Sequence, residues 1–567
     1  MAEETERRVQ RLMATTESTA PNILVTEKLG DAGVAILESG GNVDVSFGLT
    51  PEELRSKISL CDALVVRSST RVTRDIFEAS KGRLRVVGRA GVGVDNIDLQ
   101  AASEHGVVVV NAPTANTVAA AEHAVALLCA LARKVPQADA SMRRGEWARS
   151  AYVGVSLNEK TAAIMGFGRV GYEVARRLKG LGMRVVVYDP YCSQERVASL
   201  GVEQVEFEEA LARADFVSLH MPLTQTTERL FGDEAFARMK PGARIVNVSR
   251  GGVLDERALA RALDSGAVAG AALDVFVEEP PPPDHPLVGR EDVIVTPRLG
   301  GSTAEAQEGV AAEIAEAVLR TLRGQQCATA VNTPTMRPED MRELAPYTVL
   351  AYSLGKMLTR IAVGGITDVS IEYRASKASD ALETRMLRAM VIKGMVEPVS
   401  NRVINLVNAD LTAEQRGMRV SETVVPSGGG DNGPVSSIRV RASGMSAAAF
   451  GSALDGQDST AIALEGKVAD GAPQLTRMGD FPVSIRLEGS VLFCRQRDQP
   501  GMIGAVGSLL GAESVNVNHM AVGRIKSGSV VGEAVMAIGV DSLPSREVLA
   551  AISSMEAIAE SLFVEFG

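Results

Sequence analysis

The sequence predicts an α/β chain: two doubly wound parallel-sheet domains, then an α+β unit and a small terminal βαββαβ unit. Three observations lead there. Short apolar strands alternate with helical stretches from Ile23 to Pro297, the pattern of a parallel sheet covered by helices on both faces. A Gly-x-Gly-x-x-Gly run, Gly166 to Gly171, stands between an apolar strand and a helical stretch. From Val491 to Phe566 the elements read strand, helix, strand, strand, helix, strand.

The elements follow in order. Residues 1–20 mix Glu with Arg, lack an apolar h-region and are expected to be a flexible tail without targeting character. Ile23–Thr26, Val43–Val45, Ala63–Val66, Leu84–Val87 and Val107–Val110 are expected strands, with helical Asp31–Glu38 and Pro51–Ile58 between them. An Ala/Leu-rich helix over Thr117–Arg133 bridges to the second unit, which opens at Thr161–Met165. Helical periodicity resumes over Thr303–Arg323 and is expected to carry the chain back onto the first unit. Composition shifts near Pro334, and a Gly-rich loop is expected at 427–434. The terminal unit is read as strand Val491–Gln496, helix Met502–Leu510, strands Val515–Val522 and Gly532–Val540, helix Ser545–Ser553 and strand Ser561–Phe566.

Composition excludes several classes. The chain has 567 residues, more than one core holds at roughly 150 residues per domain. With 46% hydrophobic and 23% charged residues it is ordinary globular material. A net charge of −11 argues against a nucleic-acid partner, which requires a basic surface. No apolar run nears the roughly 20 residues that span a bilayer, so no membrane partner is expected. The five scattered cysteines suit a reducing compartment and form no metal-ligand spacing, so no metal is expected.

The glycine run carries the first chemistry. Gly166 permits a tight turn, Gly168 lets a pyrophosphate approach the backbone, and Gly171 lets helix and strand pack closely. The helix from Arg169 and Val170 onward offers free N–H groups to phosphates. The next strand, Arg184–Tyr188, ends in Asp189, an acid placed to accept ribose hydroxyls and to repel a 2′-phosphate. NAD is therefore the expected cofactor. Later strands are expected to end at His220, at Arg250 and near Asp274, followed by Glu278 and Glu279. In such sheets ligands bind beyond the carboxyl ends of the strands, and an arginine there can grip a carboxylate.

Gly88–Asp98, Gly166–Gly171, Ser218–Thr224, Asn247–Gly252 and Leu273–Pro281 together resemble the D-isomer-specific 2-hydroxy-acid dehydrogenases. Val331–Asn332 and Arg497–Gly504 extend the likeness to the long, four-domain, plant-type phosphoglycerate dehydrogenases. The resemblance implies two Rossmann-like domains, an intervening domain and a C-terminal ferredoxin-like ACT domain. It implies a substrate-binding domain at 21–118 and 300–333, an NAD domain at 119–299, an intervening domain at 334–485 and an ACT domain at 490–567. By the same resemblance Arg250 holds the substrate carboxylate, Glu279 tunes the general acid/base and Asp274 binds the nicotinamide carboxamide. Val92, Met221, Val248, Ser249 and Arg250 itself join the cofactor site. Arg89 and Gly91 belong to the loop that meets the carboxylate, and Arg67 and Arg71 face a substrate phosphate.

One position departs from the family. Where a Pro-His-Leu-Gly segment supplies the acid/base, this chain reads Pro297-Arg298-Leu299-Gly300. Arginine stays protonated and cannot accept a hydroxyl proton. His220 and His285 are unpersuasive substitutes, the latter expected as a solvated rim residue.

In the ACT unit, Gln496, Asp498 and Asn516 are the expected effector positions, with L-serine as the effector and a homodimer or homotetramer as the assembly. Three functional readings follow. The first is oxidation of 3-phosphoglycerate to 3-phosphohydroxypyruvate with NAD, the first step of L-serine biosynthesis. The second is a weakly active or inactive NAD-binding regulatory paralogue. The third is a reductase of another 2-hydroxy acid. The expected compartment is the cytosol from the N-terminal residues, with the plastid stroma as the family alternative.

Overall fold

Apolar runs without alternation, such as Ala63–Val66, where all four residues are buried, become central strands covered on both faces. The computed structural model describes residues 20–325, 327–333, 338–375, 384–400, 404–427, 434–448, 450, 460–524 and 532–566. The expected N-terminal tail lies outside the described residues except for Ala20, as does most of the expected loop at 427–434.

The first sheet is parallel, with β1 (Asn22–Val25), β2 (Asn42–Val45), β3 (Ala63–Val66), β4 (Val86–Arg89) and β5 (Val108–Asn111) ordered β2-β1-β3-β4-β5. The helix Ala304–Leu322 returns to this sheet, as its periodicity predicts. Val310, Ile314 and Val318 join Ile23, Val25 and Val86 in one core. Its approach is so close that a Cβ on Gly33 would lie 2.6 Å from the carbonyl oxygen of Ala311. Beyond it, Val331 N–H donates to Val109 O at 2.8 Å and Asn332 Oδ1 accepts from Val109 N–H at 2.8 Å, stitching the returning chain to β5.

The second sheet is also parallel. It contains β6 (Thr161–Met165), β7 (Arg184–Tyr188), β8 (Glu203–Gln204), β9 (Phe216–Leu219), β10 (Ala243–Asn247), β11 (Val268–Leu273) and β12 (Val293–Val295), ordered β12-β11-β10-β9-β6-β7-β8. The bridging helix Thr117–Arg133 buries Leu127, Leu128 and Leu131 against Ile164, Val246 and Ala272 of this sheet. β9, β10 and β11 end earlier than expected. His220, Arg250 and Asp274 therefore stand in the loops beyond the ladder rather than within it, where the backbone is free to aim them.

Past the helix Pro338–Ile361, β13 (Ala362–Val363) pairs with β17 (Ala447–Ala448). The main sheet here joins β14 (Asp368–Ala375), β15 (Arg419–Pro426), β16 (Val435–Ser443), β18 (Ala461–Ala469), β19 (Ala472–Met478) and β20 (Phe481–Arg486), ordered β15-β14-β16-β18-β19-β20. Only β14 with β15 runs parallel. Alternate burial along β14 turns Val369, Ile371 and Tyr373 toward the core they share with the helices Pro338–Ile361 and Arg385–Val396.

The terminal unit is antiparallel: β21 (Ser490–Arg497), β22 (Val517–Arg524), β23 (Glu533–Val540) and β24 (Ile558–Glu565), ordered β22-β23-β21-β24. That is the expected βαββαβ arrangement, with its helices at Met502–Ala512 and Arg546–Ser553. One face of the sheet continues the preceding core, through Val491, Phe493, Val535 and Val564. β22 begins at Val517, so Asn516 precedes the strand on which it was expected.

Candidate active site

A cleft of about 840 Å³ opens between the two parallel-sheet domains. Arg67, Arg89, Gly91 and Val92 line it from the first sheet. Gly168, Arg169, Val170, Met221, Val248, Ser249, Arg250, Asp274 and Arg298 line it from the second. Glu279 reaches the cleft only through Arg298, and lines a smaller neighbouring cavity of about 370 Å³.

The cofactor end is built as the glycine spacing demands. Gly166 adopts φ +95°, and a Cβ there would lie 2.6 Å from His220 O; one on Gly171 would lie 2.0 Å from Gly166 O. Added to Gly168, a Cβ would meet nothing within 4 Å, so the backbone there is open to a ligand. Asp189 accepts Phe167 N–H at Oδ2 (2.8 Å) and Tyr191 N–H at Oδ1 (2.9 Å), leaving lone pairs for ribose hydroxyls. These features fit a dinucleotide.

Cations gather at the other end of the cleft. Glu27 carries the loop that presents Arg67: its carboxylate accepts the N–H groups of Arg67, Ser69 and Thr70. Burial pushes the Glu27 carboxyl up, but those backbone donors outweigh it and hold the group below the usual carboxylate range. Arg67 itself donates to Lys28 O at 3.2 Å. Arg71, expected beside the phosphate, is exposed and is not among the residues that line the cleft. Arg67 directly follows the strand Ala63–Val66, and Arg71 directly precedes Val72, which bridges to Ile97.

The Arg89 guanidinium is pushed down to about 10, first by burial and then by the like charges of Arg298 and Arg250. Its Nε is buried without a hydrogen-bond partner. Arg250 is steered by Asp95, which accepts from Nε at 3.1 Å, and by its own bond from Nη1 to Ser249 O at 2.8 Å. Asn247, almost fully buried, fixes the turn: Nδ2 donates to Arg250 O at 2.8 Å while Oδ1 accepts from Ser249 N–H at 3.0 Å. The two guanidiniums leave no room beside the glycine loop. A Cβ on Gly91 would lie 1.6 Å from Arg89 Nη1, and one on Gly93 1.9 Å from Arg250 Nη2.

Asp274 anchors the segment that holds Arg298. Its Oδ1 accepts from Thr296 Oγ1 (2.6 Å), Leu299 N–H (2.7 Å) and His123 Nε2 (3.1 Å), and Oδ2 from Gly300 N–H (2.8 Å). Burial pushes this carboxyl up, yet the donors, led by His123, bring it below its ordinary value. Arg298 takes φ +58°, donates its N–H to Asp274 O at 3.0 Å and pairs through Nη1 with Glu279 Oε2. His123 was not foreseen: nothing in the helical pattern of 117–133 marks one histidine as facing Asp274.

The other histidines near the site do not replace an acid/base. Burial pushes His220 down to about 3, so it is neutral at working pH and a poor proton acceptor. His285 is buried, bonded to Glu256 at 3.0 Å and edge-on to Phe276, not the solvated rim residue expected; its backbone N–H closes the proline-rich turn on Pro282 O at 3.1 Å.

At the far end, Gln496 is buried with Oε1 lacking a partner, and Asp498 accepts from Arg524 Nε at 2.6 Å. Asn516 N–H donates to Asp541 Oδ1 at 3.0 Å, and Asn516 O accepts from Asp541 N–H at 3.1 Å. No candidate metal cluster occurs among the described residues.

Residues 125–300 match the NAD binding domain of D-isomer specific 2-hydroxyacid dehydrogenases. Residues 343–458 match the D-3-phosphoglycerate dehydrogenase intervening domain, and 490–557 the ACT domain. The chain is 55% identical over 547 residues to D-3-phosphoglycerate dehydrogenase 2, chloroplastic, of Arabidopsis thaliana, covering 96% of this chain and 87% of that protein. It is 40% identical over 542 residues to D-3-phosphoglycerate dehydrogenase of Methanocaldococcus jannaschii, covering 95% and 98%. Among solved structures, a glyoxylate reductase from Paecilomyes thermophila superposes with TM-score 0.52 at 28% identity, covering 55% of this chain and 99% of that one. The two-domain dehydrogenase, the intervening domain and the ACT domain thus follow one another in a single chain, which belongs to the D-3-phosphoglycerate dehydrogenase family.

Proposed function

We propose that the protein oxidises 3-phosphoglycerate to 3-phosphohydroxypyruvate with NAD, the first step of L-serine biosynthesis. The observation that carries this is the cluster of Arg67, Arg89 and Arg250 in a cleft that also opens onto the glycine turn. A phosphorylated 2-hydroxy acid brings two anionic groups, and separated guanidiniums match them. Bound NAD supplies the hydride acceptor. Arg250 and Arg89 hold the carboxylate, Arg67 faces the phosphate, and Arg298 stabilises the developing alkoxide while water takes the proton. The test is NADH formation dependent on 3-phosphoglycerate, with D-glycerate as the unphosphorylated control.

A second reading, a slow or inactive paralogue, is favoured by one observation: Glu279 is engaged by a permanent cation rather than by a titrating imidazole. Loss of a placed acid/base lowers rates by roughly 10²–10⁴, or about 3–5 kcal/mol of barrier.

The domain division at 21–118 with 300–333, 119–299, 334–485 and 490–567 is part of this proposal, supported by the return of Ala304–Leu322 to the first sheet. For the effector, L-serine at Gln496, Asp498 and Asn516 is supported by the partnerless Gln496 Oε1, and calorimetric titration with serine tests it. A homodimer or homotetramer is supported by exposed Val135, Met142, Trp147 and Val153 in one stretch, and light scattering tests it. No helix among the described residues is long and apolar enough to cross a membrane. Two plant relatives are named chloroplastic, which favours the plastid over the cytosol; a fluorescent fusion in plant cells tests it.

A further inference from the structure

Arg196, on the helix Gln194–Leu200, reaches back to the glycine turn that the cofactor site requires. Its Nε donates to Phe167 O at 3.0 Å and its Nη2 to Gly168 O at 3.1 Å. The guanidinium carbon lies 5.1 Å from the Tyr172 ring centre and 5.9 Å from that of Phe167, so the fork is packed as well as bonded. Asp189 takes the N–H of the same Phe167 at 2.8 Å. The turn is therefore gripped by an anion at one amide and by a cation at the next two carbonyls.

The geometry has a direct consequence for a phosphate. Both carbonyls belong to trans peptides, the only cis bond among the described residues being Glu279–Pro280. In a planar trans peptide the C=O and N–H point in opposite directions. Phe167 O held on Arg196, and Gly168 O held by Arg196 together with Tyr172 N–H at 3.0 Å, thus place the N–H groups of Gly168 and Arg169 on the far side. Gly168 and Arg169 line the cleft, and Gly168 leaves open space where a Cβ would stand. A cation on the carbonyl side also polarises each peptide, strengthening its N–H as a donor.

We propose that Arg196 is a positioning residue of the cofactor site, whose guanidinium fork aims the Gly168 and Arg169 N–H groups at the pyrophosphate of the dinucleotide. The proposal rests on the dehydrogenase reading above. Planar, two-pronged donation sets Arg apart from Lys here, since an ammonium carries the charge without the fork.

The experiment is an NADH fluorescence titration of the full chain, which needs no turnover. Adenosine and ADP-ribose serve as displacing ligands, and the melting temperature is recorded without ligand. In Arg196→Gln the Kd for NADH and the Ki for ADP-ribose rise about tenfold, while the Ki for adenosine, which lacks phosphate, stays within about twofold. Arg196→Lys stays nearer the Gln variant than the wild type. Should the Gln variant melt lower, the Lys variant, which keeps the charge and stem, carries the comparison. Wild-type affinity in Arg196→Gln overturns the proposal, as does equal weakening of adenosine and ADP-ribose or full recovery by Lys. A wild-type protein that binds no NADH overturns this proposal and the dehydrogenase reading together, whereas equal binding by wild type and variant overturns the clamp alone.

Discussion

Arg298 donates from Nη1 to Oε2 of Glu279, and Arg298 lines both the large cleft and the smaller cavity that Glu279 lines. A permanent cation thus occupies the place where the reaction needs a group that gains and loses a proton. Arg298→His is expected to raise kcat for 3-phosphoglycerate oxidation by about 10²–10⁴. The pH profiles should differ in shape. The wild-type rate keeps climbing with pH because solvent takes the proton, whereas the variant levels off above an imidazole pKa near about 6.5. Steady-state kinetics from pH 6 to 10 check this, and identical profiles would contradict it.

Gly93 lies under the Arg250 guanidinium, at a place where a Cβ would come within 1.9 Å of Nη2. Gly93→Ala is expected to displace that guanidinium and raise KM for the acid substrate roughly tenfold or more, the loss of one charged hydrogen-bonding contact. The glycine turn is untouched, so the Kd for NADH should hold. A parallel rise in both constants would show a general distortion instead.

Arg67 lines the cleft and Arg71 does not. Arg67→Ala should therefore raise KM for 3-phosphoglycerate about tenfold, with little effect on D-glycerate, which has no phosphate. Arg71→Ala should change neither by more than about twofold, as an exposed side chain outside the site. The reverse ranking would place the phosphate elsewhere.

Asp274 gathers four donors while only 2% exposed, and its carboxyl is held below its ordinary value. A lowered folded-state pKa gives stability that is present above the unfolded value and lost as pH falls through the folded one. In Asp274→Asn an amide N–H₂ must face at least one of those donors, at a cost of about 2–4 kcal/mol at pH 7. Urea unfolding should show that gap at pH 7, and the gap should narrow below about pH 4 as the wild-type carboxyl protonates. A gap independent of pH would remove charge from the explanation.

The parallel sheets were legible because their strands are continuous apolar runs and their turns carry glycine at required spacings. The cofactor end was legible for the same reason, since the Gly166, Gly168 and Gly171 roles are steric and local. Residues acting across elements were not. His123 touches Asp274, 151 positions away, Glu27 holds the Arg67 loop from the loop that follows β1, and Arg196 reaches the glycine turn from the following helix. No periodicity encodes such meetings. Arg67 and Arg71 look alike in sequence, two basic residues just past a strand, and only the folded chain separates the one that lines the cleft from the one that does not. Strand ends were overrun at Arg250 and Asp274 because polar residues after an apolar run do not mark where the ladder stops.

NADH formation by the purified chain and by Arg298→His, at alkaline pH with saturating NAD and 3-phosphoglycerate, decides whether this cleft oxidises the phosphorylated acid. Activity that depends on the phosphorylated acid is expected in both, slower in the wild type by orders of magnitude. Absence of 3-phosphoglycerate-dependent NADH from both proteins, although both bind NADH, would contradict the assignment of this cleft to phosphoglycerate oxidation.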